Sequence, residues 1–574
     1  MTITVTETSR DFVKASSDAR APSQVSKITI VATDQELVQC IAAHLIQISG
    51  KTEYIVSAAE DLTVLTLKSA DSVVYLPSLR KHGTVPDVAE AARVLGMCRE
   101  GGVYGLVLVS SGAIYGASFR NPGLVSESYS LSNSDRGIAS QWKSLEQTAK
   151  KHFPSDTELV ILRCATVLSR ESANPVARWF SNRVAVTASG HDPCIQLLSP
   201  TDLAQAIGCV LRERARGVLN VSPDGVIPLR EALRRSGVKR IPVPRTLLRI
   251  AHAGRNGTSS YGDYARYPWT ISNQNLKKLG FEPKQSSEEA AAGFCRSLGR
   301  NSPSQALGTS VEFDDFGMDK EYIAAYGRTL FRFLSDWYWR IEVAGMEHVP
   351  RQGKGVLAGI HRGFMPWDGV MALHLLVRHT GRHPRFLIHP GLVKFPFLAN
   401  FMTKLGGIIA CQRNAAHVLE RNELLGVFPE GIQGAFVRYS DAYQIHDFHR
   451  DAFVKIALRH QAPIIPFVTV GSAEIFPILG KLKSRLWTKY SEWPAFPITP
   501  TFPLIPLPLP SKWHTRFLPA MHIENDYPPS AASNPSVVRA IGREVKERMQ
   551  KAIDEMLERR RSIFFGSIFP ADAT

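Results

Sequence analysis

The residues that could do chemistry in this sequence gather in Gly359–Leu376, GIHRGFMPWDGVMALHLL, around His361 and Asp368. Pro366 and Asp368 are helix-start signals, and Val370, Met371, Leu373, Leu375 and Leu376 supply the apolar run of the helix. An imidazole on the loop before a helix meets a carboxylate at the helix N-terminus when the turn between them folds back. The carboxylate then fixes the tautomer on one ring nitrogen and leaves the other as a base near neutral pH. A plainer reading makes Asp368 a helix cap and His361 a loop histidine. This stretch alone does not separate the two.

Further blocks follow in order. Gly406–Asn414 (GGIIACQRN) joins a glycine pair, a short strand and Arg413. Leu424–Gly431 (LLGVFPEG) is a buried strand ending on the turn Phe428-Pro429-Glu430-Gly431, and Ala462–Gly471 (APIIPFVTVG) is a Pro-bounded β-branched strand. With His361 and Asp368 ahead of them, these blocks resemble the phospholipid/glycerol acyltransferase family of the lysophosphatidate acyltransferase type, over roughly Tyr338 to Tyr527. Six residues separate His361 from Asp368, more than the family's commonest spacing. The Pro-Trp-Asp-Gly ending is similar to the monoacylglycerol/diacylglycerol-acyltransferase-like branch. The resemblance implies an α/β acyltransferase domain with a mixed sheet flanked by helices, His361 as general base and Asp368 orienting it. It also implies that Arg413, Phe428, Pro429, Glu430 and Gly431 bind the acceptor. The reaction would move an acyl group from acyl-CoA or acyl carrier protein to a glycerolipid-type hydroxyl, lysophosphatidate or a mono/diacylglycerol-like acceptor, without a cofactor. A guanidinium suits a phosphate bidentately. Two roles stay open for Glu430, holding glycerol hydroxyls or pairing with an arginine.

The first half is built differently. Strand-like Lys27–Ala32, Ser72–Leu76, Val103–Ser110 and Leu159–Arg163 alternate with helical Glu36–Ile48 and Gln141–Lys151. That alternation predicts a doubly wound, Rossmann-like parallel sheet wrapped by helices. Ser110–Gly116 directly after a strand, Leu162-Arg163 with Ala165–Val167, and Leu198–Ala206 resemble the extended short-chain dehydrogenase/reductases of the sugar-nucleotide epimerase type, over about Lys27 to Arg296. Ser111 would match the catalytic serine and Lys143 the catalytic lysine. Two departures tell against redox chemistry with NAD(P) as cofactor. The loop after the first strand, Val31–Glu36, has no glycine and puts Asp34 and Glu36 where a dianionic pyrophosphate would lie. Ala139 stands where the family has its tyrosine, so the proton relay is missing. Ser111 and Lys143 are then the remains of a dehydrogenase-type site.

A chain of 574 residues is long enough for several domains. We place a flexible tail at 1–25, the epimerase-type domain at 26–298, a Ser/Gly/Asp-rich linker at 299–317, and the acyltransferase domain at 318–574. The second domain should open on an amphipathic helix, Glu321–Val343, with Leu330, Phe331, Leu334, Trp337, Tyr338 and Ile341 on one face and Arg328, Arg332 and Asp336 on the other. It should close on a helix, Val537–Arg560, followed by Arg561 and Phe564-Phe565. The net charge of +16 favours anionic partners. No recognition helix or aromatic platform points to nucleic acid, and an anionic membrane surface is the better match. Seven scattered cysteines without a Cys-x-x-Cys pair argue for reduced thiols in the cytoplasm, and no metal-ligand spacing stands out. With no apolar run long enough to span a bilayer, membrane contact is expected to be peripheral.

Overall fold

A computed structural model describes residues 27–48, 53–68, 70–80, 85–131, 137–154, 157–170, 175–244, 247, 261–300, 313–448, 451–502 and 507–570. The chain falls into two compact units, Met1–Gly317 and Met318–Thr574.

Unit 1 is a six-stranded parallel sheet with helices between its strands. In chain order these are β1 (Lys27–Val31), α1 (Gln35–Ile48), β2 (Glu53–Ser57), β3 (Ser72–Tyr75), α2 (Val88–Glu100), β4 (Gly105–Ser111), α3 (Ile138–His152), β5 (Glu158–Cys164), α4 (Pro200–Arg212) and β6 (Gly217–Val221). The strands lie in the order β6-β5-β4-β3-β1-β2. Direction along the sheet reverses between β1 and β3, the switch point of a doubly wound fold. Covered on both faces, the strands are apolar almost throughout: Ile30, Val73, Leu108, Ile161 and Leu219 are buried. Dinucleotide folds of this kind carry two strands beyond β1 on that side. The described residues supply one, β2, whose polar ends (EYIVS) hid it in the sequence.

Residues 1–25 of the expected tail and 301–312 of the expected linker lie outside the described residues. The described ends of that linker are fastened to unit 1. Arg300 donates to the carbonyls of Phe180 and Asn182 at 2.9 and 3.1 Å, and Phe316 packs over Gly123.

Unit 2 holds a seven-stranded mixed sheet. Its elements are α5 (Lys320–Arg328), β7 (Glu342–Ala344), β8 (Gly355–Gly359), α6 (Trp367–Thr380), β9 (Arg385–Ile388), β10 (Ile408–Ile409), α7 (Gln412–Glu420), β11 (Leu424–Val427), α8 (Ala452–Arg459), β12 (Ile464–Val470), β13 (Gly480–Leu482), α9 (Arg485–Ser491), β14 (Phe496–Ile498), β15 (His514–Phe517) and α10 (Pro535–Arg559). The sheet runs β7-β15-β12-β8-β11-β9-β10, with only the β12–β15 pairing antiparallel. β13 and β14 form a separate ribbon. Because β12, β8, β11, β9 and β10 are parallel, the segments that follow them emerge on one edge.

The opening helix is not continuous to Val343. It stops at Thr329, whose φ of −116° and ψ of −97° leave the helical region, resumes for Leu330–Phe333, and widens into a π turn at Leu334–Tyr338. Arg340 at φ +46° then turns the chain into β7. These breaks split the expected apolar face. Phe331 and Leu334 are buried, whereas Leu330 and Trp337 are exposed. The closing helix agrees with its expectation, but its basic end is not all solvated. Arg560 is buried against Glu474 at 2.6 Å and donates to the Tyr443 hydroxyl at 3.3 Å.

Candidate active site

β8 ends at Gly359, where a Cβ would strike the Phe467 ring, so only glycine lets the two strands close here. The chain then loops through His361 and Gly363 (φ +77°) into α6. Asp368 is the second residue of that helix, and Pro366 caps it without a side-chain bond. The buried Asp368 carboxylate accepts from the backbone N–H of Gly369 at 2.8 Å and of Arg362 at 2.8 Å. The Oδ2 that takes the Arg362 amide also meets His361 Nδ1 at 2.8 Å. Asp368 is therefore locked by two amides at the positive end of a helix and aimed at the imidazole. With Nδ1 engaged, the outer nitrogen Nε2 makes no hydrogen bond among the described residues, and the ring keeps 15% of its surface exposed. The Phe428 ring lies 5.1 Å from the imidazole and stacks on Phe386 at 5.7 Å. The arrangement can take a proton at one defined nitrogen and stabilise the resulting imidazolium.

The turn after β11 is a type I β-turn in which Gly431 N–H donates to the Phe428 carbonyl at 2.8 Å, with Pro429 and Glu430 at its corners. Of the two roles open to Glu430, the structure takes the pairing. Its carboxylate is buried against Arg362, 2.6 Å from Nη1 and 3.3 Å from Nη2, and also accepts the His446 amide at 3.1 Å. Arg362 further donates to the carbonyls of His361, Ala442 and Gln444, which ties the His361 loop to the opposite turn. Sequence reasoning missed Arg362. Its partner Glu430 lies 68 positions away, and no local pattern joins them. Arg413 opens α7 behind β10, on the same sheet edge but three strands from β8, roughly 14 Å by strand spacing. His361, Asp368 and Phe428 are thus brought together, Pro429 and Gly431 shape the turn beside them, and Arg413 stands at the far end of the edge.

In unit 1 Ser111 Oγ accepts the Ala113 amide at 3.1 Å and caps a short 3-10 turn, and Lys143 is half-buried on α3. Around them the strand ends are crosslinked. Glu146 accepts from Ser110 Oγ at 2.8 Å and from Arg163 Nη2 at 2.7 Å, Arg163 donates to Tyr115, and Tyr115 donates to Asn220 at 2.8 Å. Burial pushes the Tyr115 phenol up to about 12. At the mouth of α1, Asp34 accepts the Leu37 amide at 3.1 Å and bonds Ser169, while Glu36 accepts the Arg170 amide at 2.6 Å.

Unit 2 thus places a carboxylate-oriented imidazole with an open nitrogen on the carboxyl edge of a mixed α/β sheet. The chain belongs to the Acyltransferase family, whose model matches residues 340–470. The uncharacterized protein Rv0502 of Mycobacterium tuberculosis is 36% identical over 286 residues, covering 48% of this chain and 76% of that protein. The uncharacterized protein ML2427 of Mycobacterium leprae is also 36% identical over 286 residues, covering 48% and 74%. Among solved structures, UDP-N-acetylglucosamine 4-epimerase from Bacillus cereus is similar at TM-score 0.35 and 15% identity, covering 48% of this chain and 99% of that one. Human epimerase family protein SDR39U1 with NADPH is similar at TM-score 0.38 and 15% identity, covering 47% and 99%. No helix among the described residues is long and apolar enough to cross a membrane.

Proposed function

We propose that unit 2 transfers a fatty acyl group from the thioester of acyl-CoA or acyl carrier protein to the hydroxyl of a glycerolipid, lysophosphatidate or a mono- or diacylglycerol. The 2.8 Å bond between His361 and Asp368 carries this reading. His361 Nε2 accepts the proton of the acceptor hydroxyl as its oxygen attacks the thioester carbonyl. Asp368 steadies the imidazolium. The tetrahedral intermediate collapses with cleavage of the C–S bond, and the departing thiolate takes the proton from Nε2. No serine of the protein is acylated, because the substrate supplies the nucleophile. Arg413, at the end of the same sheet edge, meets a phosphate on the acceptor's far end. Unit 1 contributes no NAD(P) chemistry. Mass-spectrometric profiling of products from the full chain, given acyl-CoA or acyl carrier protein and a panel of glycerolipid acceptors, tests the proposal. Product formed by the parent and lost in His361→Ala is the expected result.

A further inference from the structure

Between β12 and β15 the chain makes an excursion, residues 475–511, whose described residues (475–502 and 507–511) carry an unusual surface. Leu479, Leu482, Leu486, Ile498 and Leu507 are all exposed, Leu486 by 81% and Leu482 by 58%. Lys481, Lys483, Arg485 and Lys489 are interleaved with them, and the one acidic residue of the excursion, Glu492, is paired with Lys394 at 3.0 Å. In the β13–β14 ribbon Leu482 lies opposite Phe496, and Gly480 opposite Ile498. Leu482, Phe496 and Ile498 therefore share one face, while Pro497 on the other face is buried. On that first face Leu482 and Ile498 are exposed and Phe496 is half-buried. Beside it, in the turn that Lys394 joins to Glu492, Phe397 holds φ at +65° with its ring 69% exposed. A left-handed backbone is costly for a residue with a Cβ, and here it presents an aromatic ring to solvent.

The excursion is rooted in the active site. Phe364, three residues beyond His361, has its ring 4.7 Å from Phe502, 5.1 Å from Phe476 and 5.8 Å from Trp493. Phe496 continues the chain of rings, 5.5 Å from Phe502 and 5.0 Å from Trp487 on α9. Aromatic contacts thus run without a break from the loop of the base to the exposed ribbon.

We propose that residues 475–502 and 507–511, with Phe397 beside them, form a docking surface for an anionic bilayer built onto the wall of the active site, and that the acceptor reaches His361 from the bilayer. Leucines flanked by lysines suit this occupant. The apolar tips enter the headgroup boundary while the ammonium groups meet lipid phosphates. The docking half stands apart from catalysis, whereas the delivery half rests on the acyl-transfer proposal for His361.

Sedimentation of the full chain with phosphatidylcholine vesicles, with and without phosphatidylglycerol, tests the docking half. The expected result is partition that requires phosphatidylglycerol, weakens as salt rises, and falls at least about tenfold in Leu482→Asp/Leu486→Asp with the melting temperature retained. His361→Ala should partition as the parent does, so loss of turnover does not read as loss of docking. Equal partition to neutral vesicles, or no change in the double variant, would overturn docking. So would protection of 475–511 from hydrogen exchange by an acidic carrier protein but not by vesicles, which would assign the surface to a protein. For delivery, the double variant should lose turnover on vesicle-borne acceptor relative to a monomeric short-chain one, and an unchanged ratio would overturn it. Absence of parent turnover on both acceptors would remove the acyl-transfer proposal and delivery together, leaving docking to stand on partition.

Discussion

The two units gather the same kinds of polar residue at the carboxyl ends of parallel strands and do different things with them. In unit 1 the buried pair is Arg163–Glu146 at 2.7 Å, and in unit 2 it is Arg362–Glu430 at 2.6 Å. The other hydrogen bonds of Arg163 and Glu146 run into neighbouring side chains. Arg163 reaches Tyr115, Tyr115 reaches Asn220, and the Asn220 amide reaches Glu127 at 2.9 Å. Each of these bonds is made to another group of unit 1. Arg362 instead uses its remaining N–H groups on backbone carbonyls, including that of His361. Its network fixes the loop but leaves the imidazole outside, with one nitrogen open. A buried ion pair joins a side-chain network in the first case and braces the His361 loop in the second. The difference lies in where the leftover donors go.

The sharpest way to break this contrast is to remove the open end. His361→Ala and Asp368→Asn should each lower turnover by about a hundredfold to ten-thousandfold, the reach of a lost general base, while unit 2 stays folded. Unchanged turnover in either folded variant would make unit 2 as closed as unit 1. Next is the scaffold itself. Glu430→Ala leaves the Arg362 guanidinium buried and unpaired, a cost of about 3–5 kcal/mol in unfolding free energy. In the protein that remains folded, the acceptor KM should stay within about threefold, since the carboxylate faces Arg362 and not the acceptor. A raised KM at an unchanged melting temperature would return Glu430 to acceptor binding.

Smaller effects come from buried histidines outside the site. Burial holds His374 and His514 down to about 4, from the ordinary 6.5. Below 6.5 the unfolded chain takes up protons that these folded rings refuse until about 4, so the stabilisation present above 6.5 is lost as pH falls through that window. Each histidine should contribute a slope of roughly 1 kcal/mol per pH unit, read from denaturant unfolding between pH 7 and 5. His374→Phe should remove its share and leave that of His514. A slope unchanged in that variant would place the titration elsewhere.

What the sequence disclosed follows from how local each signal is. The dyad was legible because His361, the helix-start residues and Asp368 lie in one loop, so their meeting follows from a single turn. Strands with unbroken apolar runs, such as Gly105–Ser111 and Ile464–Val470, were legible because both of their faces are buried. Arg362–Glu430 was not, since the partners are 68 positions apart and nothing local pairs them. The break at Thr329 was hidden for a related reason. Helical periodicity continues through it, and burial of Phe331 beside Phe401 and His374 decides the backbone. The tertiary structure overrode a sound local pattern.

The smallest expected effect is no effect, and it tests the closed network. The full chain should take up neither NAD nor NADP in calorimetric titration, and should purify without dinucleotide. The mouth of α1, where backbone amides would receive a pyrophosphate, is occupied by carboxylates that already accept bonds, Asp34 from Leu37 and Glu36 from Arg170. A phosphate brought there would displace those bonds and meet like charge. Farther along the same sheet edge, Ala139 offers no phenol, and the buried Tyr115 hydroxyl is engaged on both sides by Arg163 and Asn220. Ser111→Ala should therefore cost only the cap of its 3-10 turn, about 1 kcal/mol of stability, and leave acyl-transfer turnover unchanged. Asp34→Gly/Glu36→Gly sharpens the test by removing the carboxylates. If that variant gains dinucleotide affinity, charge and crosslinking at the mouth are what close the cleft. If the parent already binds one equivalent, the network of unit 1 is not closed, and the contrast between the two units fails at its first term.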